Sequence, residues 1–137
     1  MKELDFFKDA LEKSLGSRNV NVEPEQLYSP INYILSLGGK RLRPVLTLMT
    51  CDFFGGDYKE AMPAAMAVEL FHNFSLIHDD IMDEAPLRRG KETVHKKWDI
   101  NTGILSGDAM LILAYQYFES YEPALFQELA KLFSKTA

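Results

Sequence analysis

Residues 72–90 read HNFSLIHDDIMDEAPLRRG, which joins a helical apolar pattern to an acidic cluster and then to two arginines. Apolar residues recur at the spacing of one helix face from about Tyr58 to Met82. They include Leu70, Phe74, Ile77 and Ile81. At about 100° per residue, Asp79 and Asp83 lie roughly 40° apart around this helix. The segment therefore predicts a long helix that ends in two neighbouring carboxylates.

The rest of the chain also predicts helices, because no segment alternates between apolar and polar residues as a strand does. Glycine and proline residues mark the helix ends. The predicted helices span about 2–15, 24–37, 44–54, 58–82, 102–119 and 123 onward, with a loop between Pro86 and Gly90. Pro63 is early enough in its helix either to be tolerated or to cause a kink. The predicted fold class is all-α.

Length and composition limit the classes of protein to which the chain can belong. Its 137 residues suit one domain, and a hydrophobic content of 47% supports a buried core. The net charge of -5 argues against nucleic acid as a partner. No apolar run approaches the roughly 20 residues of a membrane span. With a single cysteine, Cys51, and no signal peptide, we expect a cytoplasmic protein.

The charged residues are grouped by sign. One basic cluster consists of Lys40, Arg41 and Arg43, and another of Arg88, Arg89, Lys91, Lys96 and Lys97. Between them lie Asp79, Asp80, Asp83 and Glu84. Since a solvated surface usually mixes its charges, this separation predicts a polyanionic ligand that is bound by both metal and cations.

The acidic cluster favours a magnesium site. Asp79 and Asp83 repel each other unless a cation lies between them, and they lie near a helix C-terminus, where negative charge is disfavoured. Mg²⁺ would relieve both penalties, because it binds a few carboxylates together with phosphate oxygens. His72 and Ser75 fall within about 40° of Asp79 on the same face. Spacing alone leaves a solvated acidic helix end as the alternative.

The basic segments suit a diphosphate. Arg88 and Arg89 can make bidentate contacts to phosphate oxygens. Gly38 and Gly39 let the backbone turn sharply or approach a ligand, just before the N-terminus of the next predicted helix, which favours anions. An exposed basic loop and a polar interhelical turn remain the alternatives for these two segments.

Three segments together resemble the N-terminal half of the polyprenyl diphosphate synthase family. They are GGKRLRP at 38–44, residues 72–90, and SGDAML at 106–111, and the resemblance runs from about residue 29 onward. It implies the helical bundle of isoprenoid synthases, two facing aspartate-rich motifs, Mg²⁺ as cofactor, and a homodimer. The implied reaction joins isopentenyl diphosphate to an allylic diphosphate, giving C15–C20 products among which geranylgeranyl is favoured.

The resemblance also implies roles for individual residues. The implied magnesium ligands are Asp79 and Asp83, and the catalytic set is Asp79, Asp80, Asp83 and Arg88. The residues that match contacts to isopentenyl diphosphate are Lys40, Arg43, His72 and Arg89. Arg88 matches a contact to the allylic diphosphate. Phe74 and Ser75, just before the aspartate motif, match positions that set product length.

The chain departs from the family pattern by ending before a second aspartate-rich motif. We therefore expect residues 1–137 to be a truncated polyprenyl synthase domain without its C-terminal helices, inactive alone. The alternatives are a non-catalytic binding or partner subunit and an enzyme similar to terpene cyclases. The last helix carries an apolar stripe, which we expect to be exposed and to favour a homodimer. The stripe consists of Leu125, Leu129, Leu132 and Phe133.

Overall fold

The computed structural model describes residues 2–18 and 22–137, and almost all of its regular structure is helical. The helices are α1 (Leu4–Gly16), α2 (Glu25–Ser36), α3 (Leu42–Phe53), α4 (Met62–Met82), α5 (Val94–Lys97), α6 (Ile100–Gln116) and α7 (Pro123–Thr136), with a 3₁₀ helix at Tyr117–Ser120. The all-α prediction is confirmed. Within the described ranges, no helix is long and apolar enough to cross a bilayer.

Local signals explain where several helices begin. The long helix α4 begins at Met62 rather than near Tyr58, and Pro63 lies in its first turn. There the missing N–H costs no helical hydrogen bond, so the tolerated alternative holds. Helix α6 begins at Ile100, two residues earlier than predicted, because Asp99 caps it by accepting a hydrogen bond from the Thr102 N–H at 2.7 Å.

Two small elements between α4 and α6 were not predicted. Strands β1 (Leu87–Arg88) and β2 (Lys91–Glu92) pair in antiparallel register, and α5 follows them. Arg89 and Gly90 form the two-residue turn of this hairpin, with φ values of 52° and 77°. Positive φ at both positions is the type I′ geometry that suits a tight hairpin. Two-residue strands are too short to show alternation in a sequence.

The core surrounds α4. Fully buried apolar side chains from five helices meet here: Phe7, Leu11, Ile31, Ile34, Val45, Leu48, Leu70, Ile77 and Met110. Helix α6 approaches α4 closely through two glycines. A Cβ on Gly107 would lie 2.5 Å from Nε2 of His78, and one on Gly103 would lie 2.9 Å from Cδ1 of Ile81. This contact fixes the end of α4 that carries the aspartates.

The apolar stripe of α7 is only partly exposed. Leu125 and Leu132 are 41% and 64% exposed, as expected. Leu129 and Phe133 instead pack against the core, so the expectation of exposure was wrong for them. Phe133 makes edge-to-face contacts with three aromatic rings, at centroid distances of 5.0–5.3 Å. The rings belong to Phe71, Tyr115 and Phe118.

Candidate active site

The end of α4 places two carboxylates in solvent one helical turn apart. The Asp83 N–H still donates to the Asp79 carbonyl at 2.8 Å, and both side chains are exposed. The chain then turns back through Glu84, whose φ is 52°. The Ala85 N–H donates to the Asp80 carbonyl, which closes a Schellman motif. The helix therefore ends at Met82, with Asp83 as its C-cap.

Asp80 faces the protein rather than the solvent. It is 4% exposed, and its two carboxylate oxygens accept hydrogen bonds from Nε and Nη2 of Arg88 at 2.7 and 2.8 Å. The hydrogen bond to Asp80 raises the pKa of Arg88, with burial opposing it. The acidic motif is thus divided: Asp80 orients Arg88 on the hairpin, whereas Asp79 and Asp83 stay outside this ion pair.

The two exposed carboxylates fit a magnesium ion whose other ligands are waters or phosphate oxygens. Among the described residues, no group of three or more His, Cys, Asp or Glu side chains forms a ready-made metal cage. Mg²⁺ usually needs only one or two protein carboxylates when waters and substrate phosphates complete its shell. Asp79 and Asp83 can supply these, because neither takes part in an ion pair within residues 2–18 and 22–137.

The two basic segments meet in space. Gly38, Gly39 and Arg41 all have positive φ values (79°, 140° and 55°) and form a turn that leads into α3. The Arg89 guanidinium lies against Gly39, where an added Cβ would be 3.0 Å from its Cζ. Glycine is favoured here because side chains rarely adopt a φ of 140°, and an added side chain would also shift Arg89. Residues 50 positions apart in sequence thus build one surface.

The positive charge of this surface affects the pKa of His72. Burial lowers the pKa of His72, and the charge of Arg43 lowers it further, with smaller contributions from Arg89 and Arg88. Glu69 opposes them. His72, Arg43, Arg88 and Arg89, which the resemblance assigned to diphosphate contacts, therefore lie close enough for their charges to interact. Lys40, a fifth, is exposed in the adjacent turn.

A cavity of about 330 Å³ opens beside this surface. Polar and apolar residues both line its walls, which are Arg43, Val68, Phe71, His72, Ser75, Phe133, Thr136 and Ala137. The Ser75 hydroxyl donates to the His72 carbonyl at 2.6 Å. Phe74 is not among the walls and packs edge-to-face on Phe71 and His78.

A larger cavity of about 690 Å³ between α3, the start of α4 and α7 contains none of the predicted site residues.

Arg41 does not belong to the exposed basic cluster, which corrects the sequence-based grouping. It is 4% exposed and donates to the carboxylates of Glu69 and Glu12 at 2.7 and 2.9 Å. Sequence reasoning also missed Glu69. A signal was present, since Glu69 is the only charged residue in the apolar stretch 61–71. A carboxylate buried in such a helix needs a cationic partner.

Comparisons with known proteins agree with the resemblance. A family model described as polyprenyl synthetase matches residues 24–137. The geranylgeranyl pyrophosphate synthase of Geoglobus acetivorans is 46% identical over 115 residues, which cover 84% of this chain and 36% of that protein. The farnesyl diphosphate synthase of Micrococcus luteus is 50% identical over 93 residues, which cover 66% of this chain and 32% of that protein.

Solved structures agree as well. A crystal structure of a geranylgeranyl pyrophosphate synthase matches with a TM-score of 0.96 at 59% identity, covering 99% of this chain and 42% of that one. The synthetase of Pyrococcus horikoshii matches with a TM-score of 0.88 at 34% identity, covering 96% and 42%. The chain spans about a third of the length of the curated relatives it matches.

We predict that His72 titrates below its ordinary pKa of 6.5, because burial and Arg43 both disfavour its charged form. The unfolded state then binds the proton more readily, so His72 lowers stability as pH falls below about 6.5 and has no such effect well above it. NMR titration of the imidazole measures the midpoint. Arg43→Gln should raise that midpoint, whereas Lys97→Gln, a matched control, should not. A midpoint at or above 6.5 would contradict this account of the site.

Proposed function

Because the chain belongs to the polyprenyl synthetase family, we propose that the encoded full-length protein joins isopentenyl diphosphate to an allylic diphosphate. The favoured product is geranylgeranyl diphosphate. One observation carries this proposal: Arg43, His72 and Arg89 share one positive surface. Arg88, the neighbour of Arg89, joins that surface to the acidic end of α4, because it binds Asp80 and interacts with the charge of Asp79. Such a surface suits two diphosphate groups, of which one is bound with metal and the other by cations alone.

The residues divide between the two substrates. Arg88, held by Asp80, would contact the allylic diphosphate next to the metal. Mg²⁺, when bound by Asp79 and Asp83, would supply charge stabilisation to the departing diphosphate. Lys40, Arg43, His72 and Arg89 would hold isopentenyl diphosphate, and the depressed pKa of His72 favours its neutral form at pH 7, which both donates and accepts hydrogen bonds.

The chemistry needs no protein nucleophile. The allylic C–O bond breaks and its electron pair leaves with diphosphate, and the cationic side chains stabilise that developing charge. The alkene of isopentenyl diphosphate then forms the new C–C bond with the allylic carbocation. A proton is lost from the adjacent carbon to the released diphosphate. The part played by these residues is therefore to bind, orient and neutralise the two anions.

We also propose that residues 1–137 are one part of a polyprenyl synthase domain in the cytoplasm. The support is that the chain covers 36% of the Geoglobus relative while it matches a geranylgeranyl synthase structure over nearly its whole length. With a single aspartate motif, this segment alone would lack half of the metal site, and it would form no product from the two diphosphates and Mg²⁺.

Asp79→Ala in the encoded full-length protein should lower prenyl-transfer turnover at least about a hundredfold, because metal-assisted charge stabilisation contributes several kcal/mol. Turnover is measured with isopentenyl diphosphate, an allylic diphosphate and Mg²⁺. Asp5→Ala, which removes an exposed carboxylate from the first turn of α1, is the matched control and should leave turnover unchanged. A variant at Asp79 within tenfold of the wild type would rule out its role as a metal ligand.

We propose that Phe74 and Ser75 set product length. Ser75 lies in the cavity wall, and Phe74 buttresses the wall residue Phe71 with ring centroids 5.3 Å apart. Phe74→Ala should therefore lengthen the main product, because the wall loses its support and the cavity deepens. Chromatography of the hydrolysed products measures chain length, and Phe54→Ala, at an 80% exposed ring, is the control. An unchanged product from an active variant would make Phe74 ordinary core packing.

We propose a homodimer, supported by an apolar exposed face on α6. Ile104, Leu105 and Ile112 are 39–61% exposed there. These three side chains flank Asp108, whose side chain is 56% exposed. Exposed apolar side chains grouped on one helix face suit an interface, and two-fold dimers are the commonest assembly.

Light scattering of the 137-residue chain at tens of micromolar should give the mass of a dimer. Ile112→Lys should yield a monomer with unchanged helicity, whereas Phe53→Lys, also at an exposed apolar position, should remain dimeric. A folded wild-type monomer would refute the dimer, and a dimeric Ile112→Lys would refute this face as the interface.

A further inference from the structure

A buried ion pair lies behind the diphosphate surface. The Glu69 side chain is 2% exposed, and its Oε1 accepts hydrogen bonds from Nη1 of Arg41 at 2.7 Å and from Nδ2 of Asn73 at 2.9 Å. Arg41 also donates Nε to Glu12 and Nη2 to the Leu35 carbonyl. All three guanidinium nitrogens of Arg41 therefore donate hydrogen bonds. Rotation of the guanidinium would leave a buried charge unpaired, which is costly in free energy.

The backbone of Arg41 belongs to the turn that carries the exposed cations. Arg41 is the N-cap of α3 in the left-handed conformation, and its carbonyl accepts from the Val45 N–H at 3.1 Å. Lys40 and Arg43, on either side, are exposed. A non-glycine residue holds such a φ only where its surroundings fix it. Here the tethered side chain supplies that constraint.

The same turn sets the position of Arg89. Gly39 lies two residues before Arg41, and the Arg89 guanidinium packs against it. Burial and the charge of Arg41 lower the pKa of Arg89, and the charge of Glu69 opposes them. The cations of this surface repel one another when no anion is bound, so their arrangement depends on the turn beneath them.

We propose that Glu69 is a positioning residue for the diphosphate site. Through Arg41 it fixes the Gly38–Arg43 turn, and through Gly39 it fixes where Arg89 lies. Glu69 itself touches no substrate, since its carboxylate is buried beneath the surface. This inference rests on the proposed function, because it requires the surface of Arg43, His72 and Arg89 to bind a diphosphate.

The direction in which Glu69→Gln changes the affinity for an anion distinguishes a positioning role from a purely electrostatic one. Glu69→Gln removes a negative charge close to the cationic surface, so an effect through charge alone would tighten anion binding. The amide that replaces the carboxylate accepts only a weaker hydrogen bond from Arg41, so a loosened tether would instead weaken binding, by about tenfold for the loss of charge assistance. A role in stability alone would lower the urea midpoint and leave the affinity of the folded protein unchanged.

The experiment is calorimetric titration of the 137-residue chain with inorganic pyrophosphate without magnesium, which probes the cations rather than Asp79 and Asp83. We expect the wild type to bind and Glu69→Gln to bind about tenfold more weakly. Glu12→Gln is the matched control, because Glu12 accepts from the same guanidinium but its side chain is 41% exposed. It should change affinity less than about twofold.

A double variant keeps the test decisive if single substitutions unfold the chain. Arg41→Met with Glu69→Leu removes both charges, and apolar replacements for a buried ion pair often preserve stability. This variant should fold, as circular dichroism and urea unfolding can verify, yet bind pyrophosphate about tenfold more weakly. Wild-type affinity in the double variant would overturn the positioning role.

The possible failures are distinguishable. If the wild type binds pyrophosphate and Glu69→Gln binds it equally or more tightly, the inference is wrong and the proposed function stands. If the wild type does not bind pyrophosphate at all, both are overturned. In the encoded full-length protein, Glu69→Gln should raise the KM for isopentenyl diphosphate about tenfold with little change in kcat, which a loss of folded enzyme would not produce.

Discussion

The buried ion pair between Arg41 and Glu69 is the contact on which the arrangement of the helices depends. It joins the N-cap of α3 to the middle of α4, and through Glu12 and the Leu35 carbonyl it reaches α1 and the end of α2. Apolar packing can tolerate a small slide between helices, whereas a buried charge tolerates very little. The pair therefore defines the relative positions of helices that apolar burial only brings together.

A second ion pair, between Asp80 and Arg88, separates the aspartates at the end of α4 into a buried one and two exposed ones. Arg88 binds Asp80 with two hydrogen bonds and thereby attaches the hairpin to the helix. The neighbouring residues Asp79 and Asp83 point to solvent because they lie on another side of the same turn. Three aspartates within five residues thus divide between an ion pair inside the protein and two exposed carboxylates, which we propose as magnesium ligands.

The features that depend on local periodicity could be predicted from the sequence. The long helix α4, its aspartates and the helical class of the fold follow from residue spacing, and the polyprenyl synthase resemblance came from three short segments. The features that depend on tertiary contacts could not be predicted from the sequence. Nothing local distinguishes buried Arg41 from exposed Arg43, and Phe133 packs inward only because Phe71 and Phe118 lie opposite. The hairpin was missed because two residues per strand carry no periodic signal.

The turn at Arg89 and Gly90 has a consequence for engineering. A type I′ turn prefers Asn or Gly at its first position, and Arg89 occupies that position with a φ of 52°. A design procedure that rewards stability alone would replace Arg89 with Asn and would score the change as an improvement. The guanidinium that lies on Gly39 would then be lost. Thermostabilisation of this fold therefore has to exclude position 89 from its library, because the turn backbone favours Asn there while the contact with Gly39 requires the arginine.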